Sequence, residues 1–300
     1  MKKKTYLFAL MAMALTLGSC SDNENGIGGE TSKYITVSTS IGNMTRVATD
    51  ANGGQTFEEG DEISVYAWTG APTVAPETRE RVVNNAINKL TNGSWVSTPQ
   101  MLWKNNRDKH YFIGVYPTAA ISDLSAGEYI FDVNKQTESD LLVAVNKDGL
   151  SYNADAQQTV PLTFTHVMAK LAVNLTCKNQ WGGIPTVEKV VVGNAAKEAT
   201  INYLTKVVTP STTAKEDFSL PEITENTKYV SVIIPQEEVK QLTIVIGGKN
   251  FVYDNGTPFK LESGKITTVN LEVGRDEIKL GDVKITDWEN GSTFSGEALN

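Results

Sequence analysis

Short runs of alternating apolar and polar residues, separated by turn residues, constrain this chain more than any other feature of its sequence. In residues 35–41, every second residue from Ile35 to Ile41 is apolar except Thr39, and the residues between them are polar. Residues 269–273 alternate in the same way. A period of two is typical of a β-strand with one buried face. Further strand candidates are Ile63–Trp68, Tyr111–Tyr116, Leu171–Leu175, Val190–Val192, Val230–Ile234, Leu242–Ile246, Phe251–Tyr253 and Val283–Ile285. The sequence therefore predicts an all-β protein.

Turn residues separate these runs: Asn92-Gly93, Gly182-Gly183, Gly247-Gly248 and Asn255-Gly256. One segment is ambiguous. The apolar residues between Val82 and Leu90 have the spacing of a short helix, whereas Asn92-Gly93 followed by Trp95 is typical of a hairpin. We favour the hairpin.

Short strands with frequent turns favour β-sandwich architecture. The number of strand candidates is too high for one small sandwich, so we predict two in tandem. The polar stretch Asn153–Thr159, followed by Pro161 and a new apolar run, is the predicted boundary. The predicted domains are residues 33–158 and 159–300.

The N-terminus has the three parts of a secretory signal peptide. Three lysines (Lys2–Lys4) precede an apolar run from Tyr6 to Leu17, which is too short for a permanent membrane-spanning helix. Leu17-Gly18-Ser19-Cys20 has the form of a bacterial lipobox, so we expect residues 1–19 to be removed and Cys20 to carry a lipid. The alternative is a plain signal peptide with a chance cysteine. The polar, glycine-rich residues 20–32 are predicted to be a flexible tether.

Charge and cysteine content exclude several classes of partner and site. The chain has 27 basic and 35 acidic residues, a net charge of −8. Such a surface repels phosphate backbones, so we expect no nucleic-acid partner. With Cys20 lipidated, Cys177 has no cysteine to pair with. One remaining cysteine and two histidines make a zinc site hard to build. We predict no metal and no cofactor.

No catalytic constellation is apparent in the sequence. His166 lies among apolar residues and is predicted to be a hydrogen-bonded structural histidine, whereas His110 follows the charged stretch Lys104–Lys109 and is predicted to be solvated. A Gly-x-Ser-x-Gly turn is missing. Acidic pairs such as Glu58-Glu59 are expected by chance among so many carboxylates. We therefore predict a non-enzymatic binding or structural protein.

Tryptophan is the remaining candidate for ligand contact. The chain has five tryptophans, which could stack on sugar rings if they were exposed. In small β-domains, aromatic side chains are more often core residues. We expect core positions for Trp68, Trp95, Trp103, Trp181 and Trp288.

Several motifs in a fixed order resemble those of a known family. They are the lipobox at Cys20, Thr45-Arg46, Phe57–Tyr66, Trp95 and Trp103 before Tyr111–Pro117, Asp140–Ala144, Leu162–Leu171, Val232–Gln236 and the closing Val283–Trp288. In this order they resemble the fimbrillin-like family, the pilin subunits and associated adhesins of type V pili in Bacteroides-group bacteria. The acidic residues after Cys20 likewise resemble the surface-export signal of lipoproteins from such bacteria.

The resemblance implies two tandem transthyretin-like β-sandwich domains and a place on the outer membrane, exposed at the cell surface. It also implies that a trypsin-like protease cleaves after an arginine near the N-terminus. Removal of the first strand would then open a groove for a strand from another pilus subunit. Arg46 is the candidate cleavage site, the alternative being an ordinary loop arginine. Lys279–Trp288 with the tail 289–300 is the candidate donor, although the tail has few apolar residues.

Two functions from different classes remain open. The first is a pilus subunit or tip adhesin, held at the outer membrane by the lipid on Cys20, with other pilus subunits and a host or bacterial surface ligand as partners. The second is a surface glycan-binding lipoprotein. A covered, removable first strand would favour the pilus subunit, and exposed coplanar aromatic residues would favour glycan binding. A hydrolase is the third class. Stalk, tip and anchor positions in a pilus remain open.

Overall fold

The computed structural model describes residues 33–42, 56–136, 139–153 and 158–288, and almost all regular structure in them is β-strand. The prediction of an all-β chain is confirmed. Several sequence predictions lie outside the described residues: the signal peptide 1–19, lipidation of Cys20, the tether 20–32, cleavage after Arg46 and the tail beyond Trp288. Two short 3-10 helices, Thr78–Glu80 and Asn179–Trp181, interrupt the strands.

The described residues form nineteen strands. They are β1 (Thr36–Ile41), β2 (Glu62–Thr69), β3 (Val83–Thr91), β4 (Ser94–Thr98), β5 (His110–Tyr116), β6 (Gly127–Ile130), β7 (Leu142–Leu150), β8 (Thr159–His166), β9 (Ala169–Cys177), β10 (Val187–Ala196), β11 (Glu198–Asn202), β12 (Val207–Pro210), β13 (Lys215–Ser219), β14 (Glu222–Thr224), β15 (Lys228–Ile233), β16 (Gln236–Ile246), β17 (Lys249–Leu261), β18 (Lys265–Val273) and β19 (Ile278–Asp287).

These strands assemble into four sheets. The largest has the order β1-β8-β7-β5-β2-β3-β4, and a five-stranded sheet has the order β14-β15-β9-β18-β19. A four-stranded sheet is ordered β13-β10-β16-β17, and a three-stranded sheet β12-β11-β6. Most pairs are antiparallel, but β1 runs parallel to β8 and β18 runs parallel to β9.

The central strands β2 and β5 of the seven-stranded sheet are buried on both faces, which explains their continuous apolar runs. Ile63, Val65 and Ala67 of β2 point into one apolar cluster, and Tyr66 and Trp68 point into a second. The first, here called the inner cluster, comprises Ile35, Val37, Ile41, Ile63, Val65, Ala67, Val83, Ala86, Met101, Trp103, Phe112, Leu142, Ala144, Val160, Leu162 and Phe164. The second also takes in the buried residues of the four- and five-stranded sheets.

The ambiguous segment is a hairpin, as predicted. β3 and β4 pair in register from Ile87 with Thr98 to Thr91 with Ser94. Asn92 and Gly93 have φ angles of 51° and 73°. Two successive positive φ angles produce the tight turn whose twist matches that of paired strands, and Asn-Gly is the preferred sequence for it.

Two strands pair with strands on the other side of the predicted domain division after residue 158. β8 follows that division but pairs with β1 and β7 in the seven-stranded sheet. β6 precedes it but pairs with β11, from Ile130 opposite Glu198 to Gly127 opposite Ile201. The sheets therefore do not follow the division into 33–158 and 159–300. The tandem transthyretin-like layout stays a prediction.

Candidate functional site: the slot of the first strand

β1 is an edge strand that pairs in parallel with β8 along its whole length. The register runs from Thr36 opposite Thr159 to Ile41 opposite Phe164. The N–H of Gly42 continues this ladder by donating to the carbonyl of Phe164 at 2.8 Å. Parallel pairing of two strands requires a long connection between them, here more than a hundred residues. β1 is therefore fixed by tertiary contacts rather than by a local hairpin.

A second segment holds the beginning of the first strand from its other side. The N–H of Ile35 donates to the carbonyl of Met101 at 3.0 Å, and the N–H of Trp103 donates to the carbonyl of Lys33 at 3.2 Å. Tyr34 and Leu102 form an antiparallel bridge between these bonds. Residues 33–41 thus lie between β8 and residues 101–103. We call the space that they occupy between these two segments the slot.

The inward face of β1 is mainly apolar. Ile35, Val37 and Ile41 are buried, and all three belong to the inner cluster. Burying a side chain of this size stabilises a fold by roughly 1.5–3 kcal/mol. Burial of these three side chains therefore stabilises β1 in the slot.

Thr39 occupies the remaining inward position, and its hydroxyl accepts a side-chain hydrogen bond. The indole Nε1–H of Trp95, on β4, donates to Thr39 Oγ1 at 3.0 Å. β4 is the opposite edge strand of the same sheet. Thr39 therefore links the two edges of the seven-stranded sheet through one side-chain hydrogen bond.

An aromatic group closes the slot near the end of β1. The ring of Phe57 contacts those of Trp95, Tyr116 and Phe164 edge-on, with centroids 5.3, 5.4 and 5.1 Å away. Phe164 reaches this position because Gly114 on β5 has no side chain: a Cβ there would lie 2.6 Å from Phe164 Cζ. The glycine is thus required by close packing under the slot.

β8 depends on β1 for much of its pairing. β7 pairs with β8 only from Ala144 opposite Phe164 to Leu142 opposite His166. Among the described residues, the part of β8 from Thr159 to Thr163 pairs with β1 and with no other strand. Loss of β1 would leave these backbone groups without their ladder.

Chain order places Arg46 between β1 and the rest of the molecule. β1 ends at Ile41, and the described chain resumes before Phe57. Residues 43–55, which include Arg46, are not described. A cut after Arg46 would separate residues 33–42 covalently from the residues that form the slot.

β19, which overlaps the candidate donor segment, is the edge strand of the five-stranded sheet. It pairs with β18 from Lys265 opposite Asp287 to Val273 opposite Ile278. Val283 and Ile285 are 37% and 40% exposed. Trp288, immediately after the strand, is buried. It stacks on the imidazole of His166 with ring centroids 3.9 Å apart.

The comparison with known families decides the identity of the chain. The family profile described as fimbrillin-like matches residues 45–288. The chain belongs to the fimbrillin-like family. A comparison with curated proteins found no match.

Solved structures support the fimbrillin-like fold. A protein of Bacteroides uniformis described as a candidate cell adhesion protein is 18% identical, covers 86% of this chain and 100% of its own, and superposes with a TM-score of 0.64. A candidate cell adhesion protein of Bacteroides ovatus gives 18% identity, 86% and 98% coverage and a TM-score of 0.65. The tip fimbrial protein Mfa3 of Porphyromonas gingivalis, with a C-terminal truncation, is 11% identical. The match covers 77% of this chain and 95% of that one, with a TM-score of 0.50.

One histidine of this fimbrillin-like chain differs from its prediction. His110 was expected to be solvated but is fully buried. Its Nε2 accepts from the N–H of Lys104 at 3.0 Å, and its Nδ1 lies 3.1 Å from the carbonyl of Asp108. Burial lowers the pKa of His110, and its contact with the Asp108 carbonyl opposes that shift. The correction follows from the edge-on contact with Trp103, at a centroid distance of 5.0 Å, which the charged neighbours in sequence did not reveal.

The other histidine follows its prediction. His166 is buried, and its Nδ1 lies 2.8 Å from Asp140 Oδ2. Lys170 Nζ lies 4.3 Å from the centroid of the Trp288 ring that His166 stacks on. Burial lowers the pKa of Lys170, and the Asp140 carboxylate opposes that shift. The described residues contain no cluster of metal-ligating side chains. No helix among them is long and apolar enough to cross a membrane.

Three of the five tryptophans occupy core positions, as predicted, and the other two are half-buried. Trp68, Trp103 and Trp288 are buried. Trp95 packs on Phe57, and half-buried Trp181 packs on Phe251 with ring centroids 5.9 Å apart. No tryptophan in the described chain lies exposed as a platform for sugar rings. Nothing in this arrangement favours glycan binding.

The sequence predicted β1 and Trp95 separately but not their contact. The alternation of residues 35–41 indicated a half-buried strand, and Trp95 followed a turn signal. Residues 101–103, which close the second side of the slot, carried no strand pattern. Their role depends on a tertiary approach that no local pattern reports.

Proposed function

We propose that this chain is a non-enzymatic pilus subunit or tip adhesin, exported as a lipoprotein with its lipid on Cys20 and exposed on the outer membrane. In this proposal, a trypsin-like protease cuts after Arg46, β1 leaves, and a strand from a neighbouring subunit takes its place. The single observation that carries the proposal is β1 itself. It is an edge strand with a buried apolar face, and the cut would fall in the segment that connects it to the slot.

The physical reason for replacement is the state of the slot once β1 is gone. The space that Ile35, Val37 and Ile41 fill in the inner cluster would be open to water. The backbone of β8 from Thr159 to Thr163 would be unpaired. Open strand edges with apolar neighbours capture extended segments by β-strand addition. A covalently separate strand would satisfy the same groups as β1 and could come from another subunit.

Family membership supports the biological setting of this proposal. The solved neighbours include proteins described as cell adhesion candidates and a tip fimbrial protein. The last strand region, Lys279–Trp288 with the tail 289–300, is the candidate donor. A host or bacterial surface ligand would be the target if the subunit lies at the tip. The glycan-binding alternative loses its main support because the tryptophans are packed.

The direct test is replacement of the candidate cleavage residue in the native bacterium. We expect the wild-type chain in high-mass complexes sheared from the cell surface, and the Arg46→Gln variant as a lipidated single chain in the membrane fraction. Arg107→Gln, which changes an exposed arginine on another loop, is the matched control and should assemble normally. Equal incorporation of Arg46→Gln and wild type into sheared complexes would contradict the proposal.

A further inference from the structure

The slot has a polar position as well as apolar ones, and that position has a defined partner. Along residues 35–41 the inward side chains are those of Ile35, Val37, Thr39 and Ile41. The third of them accepts a hydrogen bond from Trp95 Nε1 at 3.0 Å. Indole N–H is a donor only, so Trp95 requires an acceptor from whatever strand fills the slot.

From this we propose that Trp95 selects incoming strands by requiring a hydrogen-bond acceptor at the third inward position. The preferred occupant has inward side chains in the order apolar, apolar, acceptor, apolar, and runs parallel to β8. This inference rests on the proposed function, because it specifies which strand the emptied slot takes.

Packing around Trp95 explains why the requirement is strong. Its ring is half-buried and contacts Phe57 edge-on at a centroid distance of 5.3 Å. Phe57 in turn contacts Tyr116 and Phe164, so the indole is held in place by an aromatic group that remains after a cut at Arg46. A strand with an apolar side chain at the third inward position would leave the indole N–H without its partner in a partly buried place. Leaving such a donor unpaired is costly, whereas a satisfied pair contributes little net stability.

The slot also sets length and direction. Residues 33–35 pair with 101–103 on one side, and residues 36–41 pair with β8 on the other. An occupant therefore needs about nine residues in one orientation to make both sets of bonds. A strand entering in reverse would keep neither the parallel ladder with β8 nor the position of the acceptor opposite Trp95.

Peptide exchange on the nicked protein tests the selection. The full chain receives a sequence-specific protease site between Arg46 and Val47, is folded intact and is then cut. Labelled peptides of residues 33–42 compete with the resident segment, and fluorescence anisotropy reports binding. We expect the Thr39→Val peptide to bind about tenfold more weakly than the native peptide, which corresponds to about 1.4 kcal/mol. The Thr39→Ser peptide keeps the acceptor and should bind within a few-fold of native. Ser38→Ala, at an exposed outward position, is the control and should bind like native.

The partner variant completes the cycle. In the Trp95→Phe protein, native and Thr39→Val peptides should bind equally, because no indole donor is left to satisfy. Equal binding of native and Thr39→Val peptides to wild-type protein overturns the selection by Trp95, as does a tenfold difference that persists in Trp95→Phe. Should Trp95→Phe not fold, weak binding of both Thr39→Val and Thr39→Ser would overturn it instead. Failure of every peptide, including the native one, to enter the slot contradicts strand replacement itself.

Discussion

The imidazole of His166 and the indole of Trp288 are stacked, with ring centroids 3.9 Å apart and ring planes inclined by 8°. His166 ends β8, the strand that carries the slot, whereas Trp288 follows β19, within the candidate donor segment. The contact therefore joins the end of the C-terminal strand to the strand that holds β1. Asp140 contacts the edge of the imidazole at Nδ1.

We predict that Trp288 keeps β19 in place. Its side chain is buried although the outer part of β19 is exposed, so most of the packing at this end of the strand comes from the tryptophan. Trp288→Ala should lower the free energy of unfolding by about 3 kcal/mol and speed amide exchange throughout β19. Val283→Ala, at a 37% exposed position on the same strand, should cost less than about 1 kcal/mol. Wild-type exchange rates in β19 of Trp288→Ala would show that the stacking does not hold the strand.

A second prediction concerns the packing beneath the slot. Gly114→Ala would bring a Cβ to 2.6 Å from Phe164 Cζ and 3.1 Å from Leu162 Cδ1, both in the inner cluster. We expect a loss of about 1–3 kcal/mol in the free energy of unfolding, measured with urea, because these side chains have little room to move. Gly193→Ala is the control. There the nearest atom is Oε1 of the flexible Gln241 side chain, and the loss should be smaller. Equal losses would mean that Phe164 is not tightly confined.

Buried His110 should make stability fall in mild acid. Burial holds the pKa of His110 below its ordinary 6.5. As pH falls through 6.5 the unfolded chain takes up the proton first, so the free energy of unfolding decreases until the folded pKa is reached. Protonation would also turn Nε2, which accepts from Lys104 N–H, into a donor. His110→Gln should weaken this pH dependence between about pH 7.5 and about pH 5.5, measured by urea unfolding. An unchanged pH dependence in His110→Gln would assign the effect to other groups.

Tyr203 should limit stability in alkali. Burial raises the pKa of Tyr203 from 10.0 to about 12. Above pH 10 the unfolded chain loses this proton first, and the folded state loses at most about 3 kcal/mol by the time the folded pKa is passed. Tyr203→Phe cannot ionise and should retain more of its neutral-pH stability in this window. The prediction fails if both proteins lose the same amount of stability as the pH rises through this window, measured by denaturant unfolding at several pH values.

The candidate donor matches the slot only partly. In alternate positions, Val283, Ile285 and Asp287 supply apolar, apolar and acceptor side chains, but Glu289 then falls where Ile41 lies. Burying a carboxylate there without a partner is costly. A peptide of residues 281–291 should therefore bind the nicked protein more weakly than the β1 peptide, and Glu289→Ile in that peptide should restore much of the difference. Equal affinities of the unmodified peptides would show that the slot does not discriminate between side chains at the fourth inward position, where Ile41 lies.

Local patterns predicted the strands, and the contacts between distant strands were beyond them. The alternation of residues 35–41 and the Asn92-Gly93 turn have direct physical causes in pleat and turn geometry, and both predictions are confirmed. The pairing of β6 with β11 joins residues about seventy positions apart, which no local pattern encodes. His110 was misjudged for the same reason: its charged neighbours are close in sequence, whereas Trp103 packs on it only in the fold.

Exchange of the first strand is the central claim, and the N-terminal residue of the assembled protein tests it most directly. Protein sheared from the native cell surface would be examined by intact mass and N-terminal sequencing. We predict a chain that begins at Val47, as expected when the protease cuts after Arg46 and β1 is replaced. A chain in sheared fibres that still begins at lipidated Cys20 would contradict strand removal.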